Sequence, residues 1–246
     1  RTNGYDDIYA QENYPRKEVV NSFGVPDHFL YRYALQKLQQ QKQPFMATLL
    51  SISNHPPYVI PEWFHANSEE EELQIVEYAD DALRIFFKQA AEQPWYGNSV
   101  FVLLGDHGKL TGSPECEMPQ CLNHIPLIIY APGLAPEEID SWCMQMDVQP
   151  TLLSLLGIRA EQEHFGQNIL QKPRSMALYT ADNMIGARSD GHLYIYEPGT
   201  GTEWFYKSAA DNKVVYCEEP DSTLLHMKRT LFSTLQTTQE EIKKHE

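Results

Sequence analysis

Three near-continuous apolar runs of strand length, Phe45 to Ile52, Ser99 to Leu104 and Ile125 to Tyr130, alternate with helical stretches between residues 28 and 157. Runs of this kind suit strands covered on both faces, the usual state of a central parallel strand. From His28 to Gln41, Phe29, Leu30, Tyr33, Ala34, Leu35 and Leu38 recur at helical spacing, with Asp27 placed as the N-cap. A second helix is predicted from about Ser68 to Glu92, its acidic start at Glu69 to Glu72 favoured by the positive end of the helix dipole. Its buried stripe reads as Leu73, Ile75, Val76, Ala79, Leu83, Phe86 and Phe87. A short helix from Val148 to Leu156 is stopped by Gly157, with Asp147 as its cap and Pro150 in its first turn. The alternation predicts an α/β fold, a mostly parallel sheet sandwiched by helices, in which ligands gather beyond the carboxyl ends of the strands.

The pattern changes from Met176 onward. Short strands are predicted at Met176 to Thr180, His192 to Tyr196, Glu203 to Tyr206 and Lys213 to Tyr216, with a turn at Glu197-Pro198-Gly199. A final helix, about Ser222 to Lys244, follows them. Residues 1–170 are therefore expected to form the α/β part, and residues 171–246 a small antiparallel subdomain packed on it.

A chain of 246 residues with 42% apolar content can bury a sizeable core. The formal charge of −15 excludes a nucleic-acid backbone as partner, because that binding depends on Lys and Arg against phosphate. No apolar run approaches the ~18 residues that would span a membrane, and the first residues lack the features of a secretory signal. The chain starts without Met and in mid-pattern, so it reads as a processed or truncated piece whose targeting information is expected elsewhere. Cys116, Cys121, Cys143 and Cys217 lack zinc-ribbon spacing. Cys116 and Cys121 bracket Glu-Met-Pro-Gln, which leaves a short-range disulfide and free thiols equally open.

Asp106 and His107, in Gly105-Asp106-His107-Gly108, directly follow the Ser99 to Leu104 run. Flanking glycines let the backbone turn so that a carboxylate and an imidazole address one point, a donor pair that suits Zn²⁺ or Mn²⁺ better than an all-oxygen cage. A polar loop after a strand is the competing explanation. His55, in Ser53-Asn54-His55-Pro56-Pro57, occupies a second loop after a strand-like run. It could hydrogen-bond a phosphoryl or sulfuryl oxygen or move a proton, and a plain loop histidine is an equal alternative. His124 sits at the entry of its strand and reads as structural. His28, His65, His164, His192, His226 and His245 show no partner pattern and read as surface or subdomain residues.

An ordered series of segments carries a family resemblance. It comprises Asn3-Gly4-Tyr5-Asp6-Asp7-Ile8-Tyr9, Phe23-Gly24-Val25-Pro26-Asp27, Leu50 to Tyr58, Gly105 to Gly108, Ile125 to Gly133 and Met146 to Leu153. Together they resemble the lipoteichoic acid synthase and phosphoglycerol transferase branch of the sulfatase family, within the alkaline phosphatase superfamily. The resemblance implies an incomplete alkaline-phosphatase-like domain with a single-metal site, Mn²⁺ with Zn²⁺, Ca²⁺ and Mg²⁺ as alternatives. There, Asp106 and His107 match metal ligands and His55 a residue beside the substrate's phosphate or headgroup. In the family a Thr or Ser attacks phosphorus or sulfur. That nucleophile and an acidic ligand come earlier in family members, and no residue of this chain matches them, so the chain alone is expected to bind metal weakly and turn over nothing.

The expected whole is a membrane-anchored, extracytoplasmic enzyme acting on a phosphate- or sulfate-ester substrate such as a glycerophospholipid headgroup. Phosphoglycerol transfer is favoured over sulfatase chemistry, which needs a formylglycine precursor. A binding domain that keeps the fold without catalysis is the alternative.

Overall fold

A computed structural model describes residues 4–110, 112–161, 164–208 and 213–245, with residue 245 described by its backbone alone. Asn3 of the first family segment, and the His245 side chain, lie outside the described residues. The chain divides into two compact units, Arg1–Phe101 with Tyr130–Leu134, and Val102–Ile129 with Ala135–Glu246.

The first unit is built on two helices, α1 (Asp27–Leu38) and α2 (Glu71–Ala90). Phe29, Leu30, Ala34 and Leu35 are the buried apolar residues of α1, and Ile75, Tyr78, Ala82, Phe86 and Ala90 those of α2. Each large side chain so buried stabilises the pair by about 1.5–3 kcal/mol. The α2 stripe differs from the sequence expectation, for Leu73 and Val76 are 50% and 49% exposed. At 100° per residue no helix can bury positions 73, 75 and 76 on one narrow face. The phase is set by Ile75 and Tyr78, whose hydroxyl finds the His28 ring at 2.6 Å. His28 is thus a partnered residue of this core.

Asp27 is not the cap of α1. It is the first helical residue, 2% exposed, and its side chain bonds no amide of its own helix. Its Oδ1 instead accepts the Ile52 and Ser53 N–H groups and the Ser53 hydroxyl, at 3.2, 3.1 and 2.7 Å. The expected strand at residues 45–52 carries no regular structure, and Met46 and Leu50 are 74% and 75% exposed. A strand persists only when a neighbour pairs its peptide groups. Among the described residues none forms a ladder with this run.

The second unit holds all but the first residue of β1 (Phe101–Leu104), α3 (Gln120–Asn123) and all but the last residue of β2 (Leu127–Tyr130), and β1 and β2 form a two-stranded sheet. A 3-10 turn, Gln145–Asp147, runs into α4 (Val148–Leu155). Gly157 closes α4 at φ 68°, and the Ile158 N–H reaches back to the Leu153 carbonyl at 2.8 Å, the arrangement in which a left-handed residue satisfies the last carbonyls.

An antiparallel meander follows, in the order β3 (Ala177–Ala181), β4 (Met184–Ser189), β5 (His192–Glu197), β6 (Thr202–Ser208) and β7 (Val214–Tyr216). The final helix is α5 (Ser222–His245). Ala187 and Tyr194 face Leu224, Met227 and Leu231 of α5, while Leu193, Ile195 and Tyr206 pack on Met118 from the other side. This two-residue alternation gives the sheet a core on each face. β4 was not evident in the sequence because Gly186-Ala187-Arg188 has little strand propensity. Its glycine is explained by packing, since a Cβ there would lie 3.2 Å from both the Met118 sulfur and the Tyr179 ring. His192 is also partnered. Its ring nitrogens lie 3.1 Å from the Asp190 carbonyl and 3.2 Å from the Asp221 carboxylate.

Candidate functional site

Loop 105–108 leaves the end of β1, where strand-to-loop turns expose polar side chains. Its backbone is held from two directions. The Gln145 side-chain amide donates to the Gly105 and Asp106 carbonyls at 3.3 and 3.1 Å. The Gly108 N–H donates to the Leu122 carbonyl at 2.9 Å. Gly108 is required by this close approach and not by an unusual φ. A Cβ there would lie 1.9 Å from the Cys121 carbonyl oxygen.

The Asp106 and His107 side chains are 79% and 69% exposed. Asp106 Oδ1 accepts the His107 N–H at 2.9 Å. His107 Nδ1 lies 2.7 Å from the Gly108 carbonyl, which can only accept, so Nδ1 carries the proton and Nε2 presents a lone pair. That Nε2 is 3.9 Å from Asp106 Oδ2. With ligand bonds of about 2.0–2.2 Å, two atoms on one ion can be up to about 4.4 Å apart. The 3.9 Å separation lies within that reach, wider than the roughly 3.4 Å of two donors at a tetrahedral angle. Among the described residues, no cluster of three or more His, Cys, Asp or Glu side chains completes a cage.

His55 belongs to the first unit. Its N–H donates to the Ile52 carbonyl at 3.0 Å, closing a turn whose base is the Asp27–Ser53 contact. The ring nitrogen Nδ1 donates to the Pro56 carbonyl across 2.7 Å, so here too Nε2 presents its lone pair. The ring lies against Phe23, centroids 4.0 Å apart. His124 is exposed, and its Nδ1 accepts the Gln120 side-chain amide at 3.3 Å.

Asp147 occupies the N-cap position of α4, as the sequence suggested, but its side chain makes no capping hydrogen bond there. Its carboxylate, 1% exposed, accepts Arg174 Nε and Nη2 at 2.6 and 2.5 Å, the Gln167 N–H at 2.9 Å and the Met144 N–H at 2.8 Å. Burial alone would raise its pKa. The Arg174 guanidinium and the two backbone N–H groups outweigh that and hold the carboxyl below its usual range. Sequence reading missed Arg174 and Gln145. Arg174 lies 27 positions from Asp147, and Gln145 some 39 from Asp106, so no local pattern joins them.

The four cysteines are free thiols, so no Cys116–Cys121 disulfide forms. Among the described residues no helix is long and apolar enough to cross a membrane.

Residues 1–158 match the sulfatase family model. The chain belongs to the sulfatase family. It is 28% identical over 222 residues to lipoteichoic acid synthase 1 of Bacillus subtilis, covering 80% of this chain and 35% of that protein. It is 26% identical over 193 residues to the lipoteichoic acid synthase of Staphylococcus aureus, covering 69% of this chain and 30% of that protein. The chain thus spans about a third of the length of these relatives. A solved alkaline phosphatase superfamily protein from Vibrio parahaemolyticus superposes with a TM-score of 0.81 at 26% identity, covering 97% of this chain and 60% of that one. The structure of Ps i-CgsB, at 15% identity and a TM-score of 0.61 over 90% of this chain and 55% of that one, shares the fold. The sulfatase-family member thus has an alkaline-phosphatase-superfamily fold, with a five-stranded antiparallel sheet towards its C-terminus.

Proposed function

We propose that this chain is the C-terminal part of the catalytic domain of a metal-dependent phosphoglycerol transferase or sulfatase-like hydrolase at the cell envelope. The observation that carries the metal reading is the His107 ring. Its Nδ1 proton is committed to the Gly108 carbonyl, and its free Nε2 lies 3.9 Å from an Asp106 oxygen. Asp106 and His107 are the proposed metal ligands. The bound cation, with Mn²⁺ first in preference, would stabilise negative charge on the attacking oxygen and the transferred group. His55 is proposed to meet the substrate. Its fixed Nδ1–H leaves Nε2 to hydrogen-bond a protonated phosphate or hydroxyl oxygen, or to take a proton and donate it back.

Similarity to lipoteichoic acid synthases supports phosphoglycerol transfer over sulfate-ester hydrolysis. It also supports an extracytoplasmic, membrane-anchored setting with a glycerophospholipid headgroup as substrate. Because the chain spans a third of those relatives, the activity is proposed for the full-length protein, with the nucleophile and remaining metal donors outside this chain. On this reading residues 1–170 belong to the catalytic α/β domain and residues 171–246 form a subdomain of it.

The test is Mn²⁺ titration of the full-length protein, with turnover of a glycerophosphodiester substrate measured alongside. Asp106→Ala should abolish both tight metal binding and turnover, whereas His55→Ala should cut turnover far more than metal content. Unchanged Mn²⁺ affinity in Asp106→Ala overturns the ligand assignment. Metal binding by the wild-type protein without any turnover of phosphate or sulfate esters would favour a binding domain that keeps only the fold.

A further inference from the structure

We propose that Gln145 is a positioning residue for the Asp106–His107 pair, holding the two side chains in register for a cation by clamping the backbone beneath them. The proposal deepens the metal-site reading above and rests on it.

The pair is 79% and 69% exposed, so packing cannot fix the direction of either side chain. What remains to fix it is the course of the main chain. The Gln145 amide nitrogen donates to two successive carbonyls, Gly105 at 3.3 Å and Asp106 at 3.1 Å, which constrains the peptide planes on both sides of the Asp106 Cα. On the far side of the pair the Gly108 N–H is tied to the Leu122 carbonyl at 2.9 Å. Asp106 and His107 thus lie between two backbone anchors.

The Gln145 anchor has a firm base. It opens the 3-10 turn whose last residue is Asp147, 1% exposed and ion-paired to Arg174. The Met144 N–H, one residue before Gln145, donates to that same carboxylate at 2.8 Å. Arg174 Nη2 also donates to the Phe165 carbonyl at 2.6 Å, tying the turn to a further segment. The chemistry also suits the residue type. An amide NH₂ offers two protons from one atom and can serve two carbonyls, whereas a glutamate carboxylate donates nothing and would face two acceptors.

The Gln145 side-chain amide bonds the loop backbone, not the Asp106 or His107 side chains, so it acts through them. The test uses the full-length protein, Mn²⁺ affinity by calorimetry, and hydrogen exchange at the 106–108 amides. Loss of these two long, exposed hydrogen bonds should weaken Mn²⁺ binding roughly three- to tenfold in Gln145→Ala. Exchange at 106–108 should speed up while Tm and exchange in β3–β6 stay at wild-type values. Gln145→Glu should weaken Mn²⁺ at least as much. A loss under threefold in both variants overturns the positioning role, as does a loss matched by a lower Tm and faster exchange throughout. Asp106→Ala measured in parallel separates the two claims. If that variant keeps wild-type Mn²⁺ affinity, the metal-site reading itself falls; if it loses affinity while the Gln145 variants keep theirs, only the clamp does.

Discussion

The Gly108 backbone and the Cys121 carbonyl approach so closely that a Cβ at position 108 would lie 1.9 Å from that oxygen. That oxygen belongs to the backbone, which cannot rotate away as a flexible side chain would. Gly108→Ala should therefore displace the loop from α3, break the Gly108-to-Leu122 hydrogen bond and cost about 2–4 kcal/mol, near the upper end for overpacking. Thermal unfolding measures the cost. A Tm within one degree of wild type, with Mn²⁺ affinity intact, would contradict this account of the loop.

The Asp27 carboxylate and the Ser53 turn form the corresponding anchor beneath His55. Three donors converge on one buried oxygen, and the Asp27 N–H returns a bond to the Ser53 hydroxyl at 3.0 Å. Asp27→Ala strands three donors, two of them on the backbone, and should destabilise the first unit by about 2–4 kcal/mol. Ser53→Ala removes the hydroxyl as donor to the carboxylate and as acceptor of the Asp27 N–H, but leaves the two backbone bonds to Oδ1, and should cost about 1–2 kcal/mol. Denaturant unfolding of both variants checks the order. Equal losses would show that the backbone bonds contribute little.

The sequence carried the helices and most of the meander because their periods are local. Phe29 to Leu38 repeats every three or four residues, and the strands alternate their faces about turns such as Glu197-Pro198-Gly199. Asp106 and His107 were legible because they are adjacent, follow an apolar strand and are flanked by glycine. The supports of that pair were not legible. Arg174 meets Asp147 from 27 positions away, and Asp27 meets Ser53 across 26, distances at which only the folded chain decides the partner. The same holds for residues 45–52. An apolar run states a capacity to pair, while pairing itself belongs to the neighbour that supplies the ladder.

Burial pushes the Cys116 thiol up to about 11, with nearby Glu115 and Glu117 acting in the same direction and the Met118 backbone and Arg188 opposing them. The thiolate is the species that reacts. Cys143 is also raised, chiefly by burial. In the native protein near neutral pH Cys116 should therefore be alkylated by iodoacetamide more slowly than an exposed cysteine, by a factor of about 100 or more. Under denaturing conditions all four thiols should react without prior reduction, as free cysteines do. Mass spectrometry of the labelled peptides reads both results. Fast native labelling of Cys116, or a need for reductant before it labels, would contradict the structure.

The Asp147–Arg174 pair gives the second unit a definite response to acid. The Asp147 carboxyl is held below its usual range, so the folded protein takes up that proton less readily than the unfolded chain does. Its contribution to stability is complete above the unfolded carboxylate value of about 3.9 and is lost as pH falls through the lower folded value. Arg174→Ala removes the main stabilising partner and leaves a carboxylate 1% exposed. Breaking a buried pair from one side costs about 3–5 kcal/mol, so Tm should drop clearly at pH 7. Without Arg174 the carboxyl loses what held its pKa down, and the gap between variant and wild type should narrow as pH falls below about 4. Thermal unfolding of both proteins between about pH 2 and pH 7 supplies the comparison. A gap that stays constant across the acid range would mean that the proton on Asp147 is not linked to this ion pair.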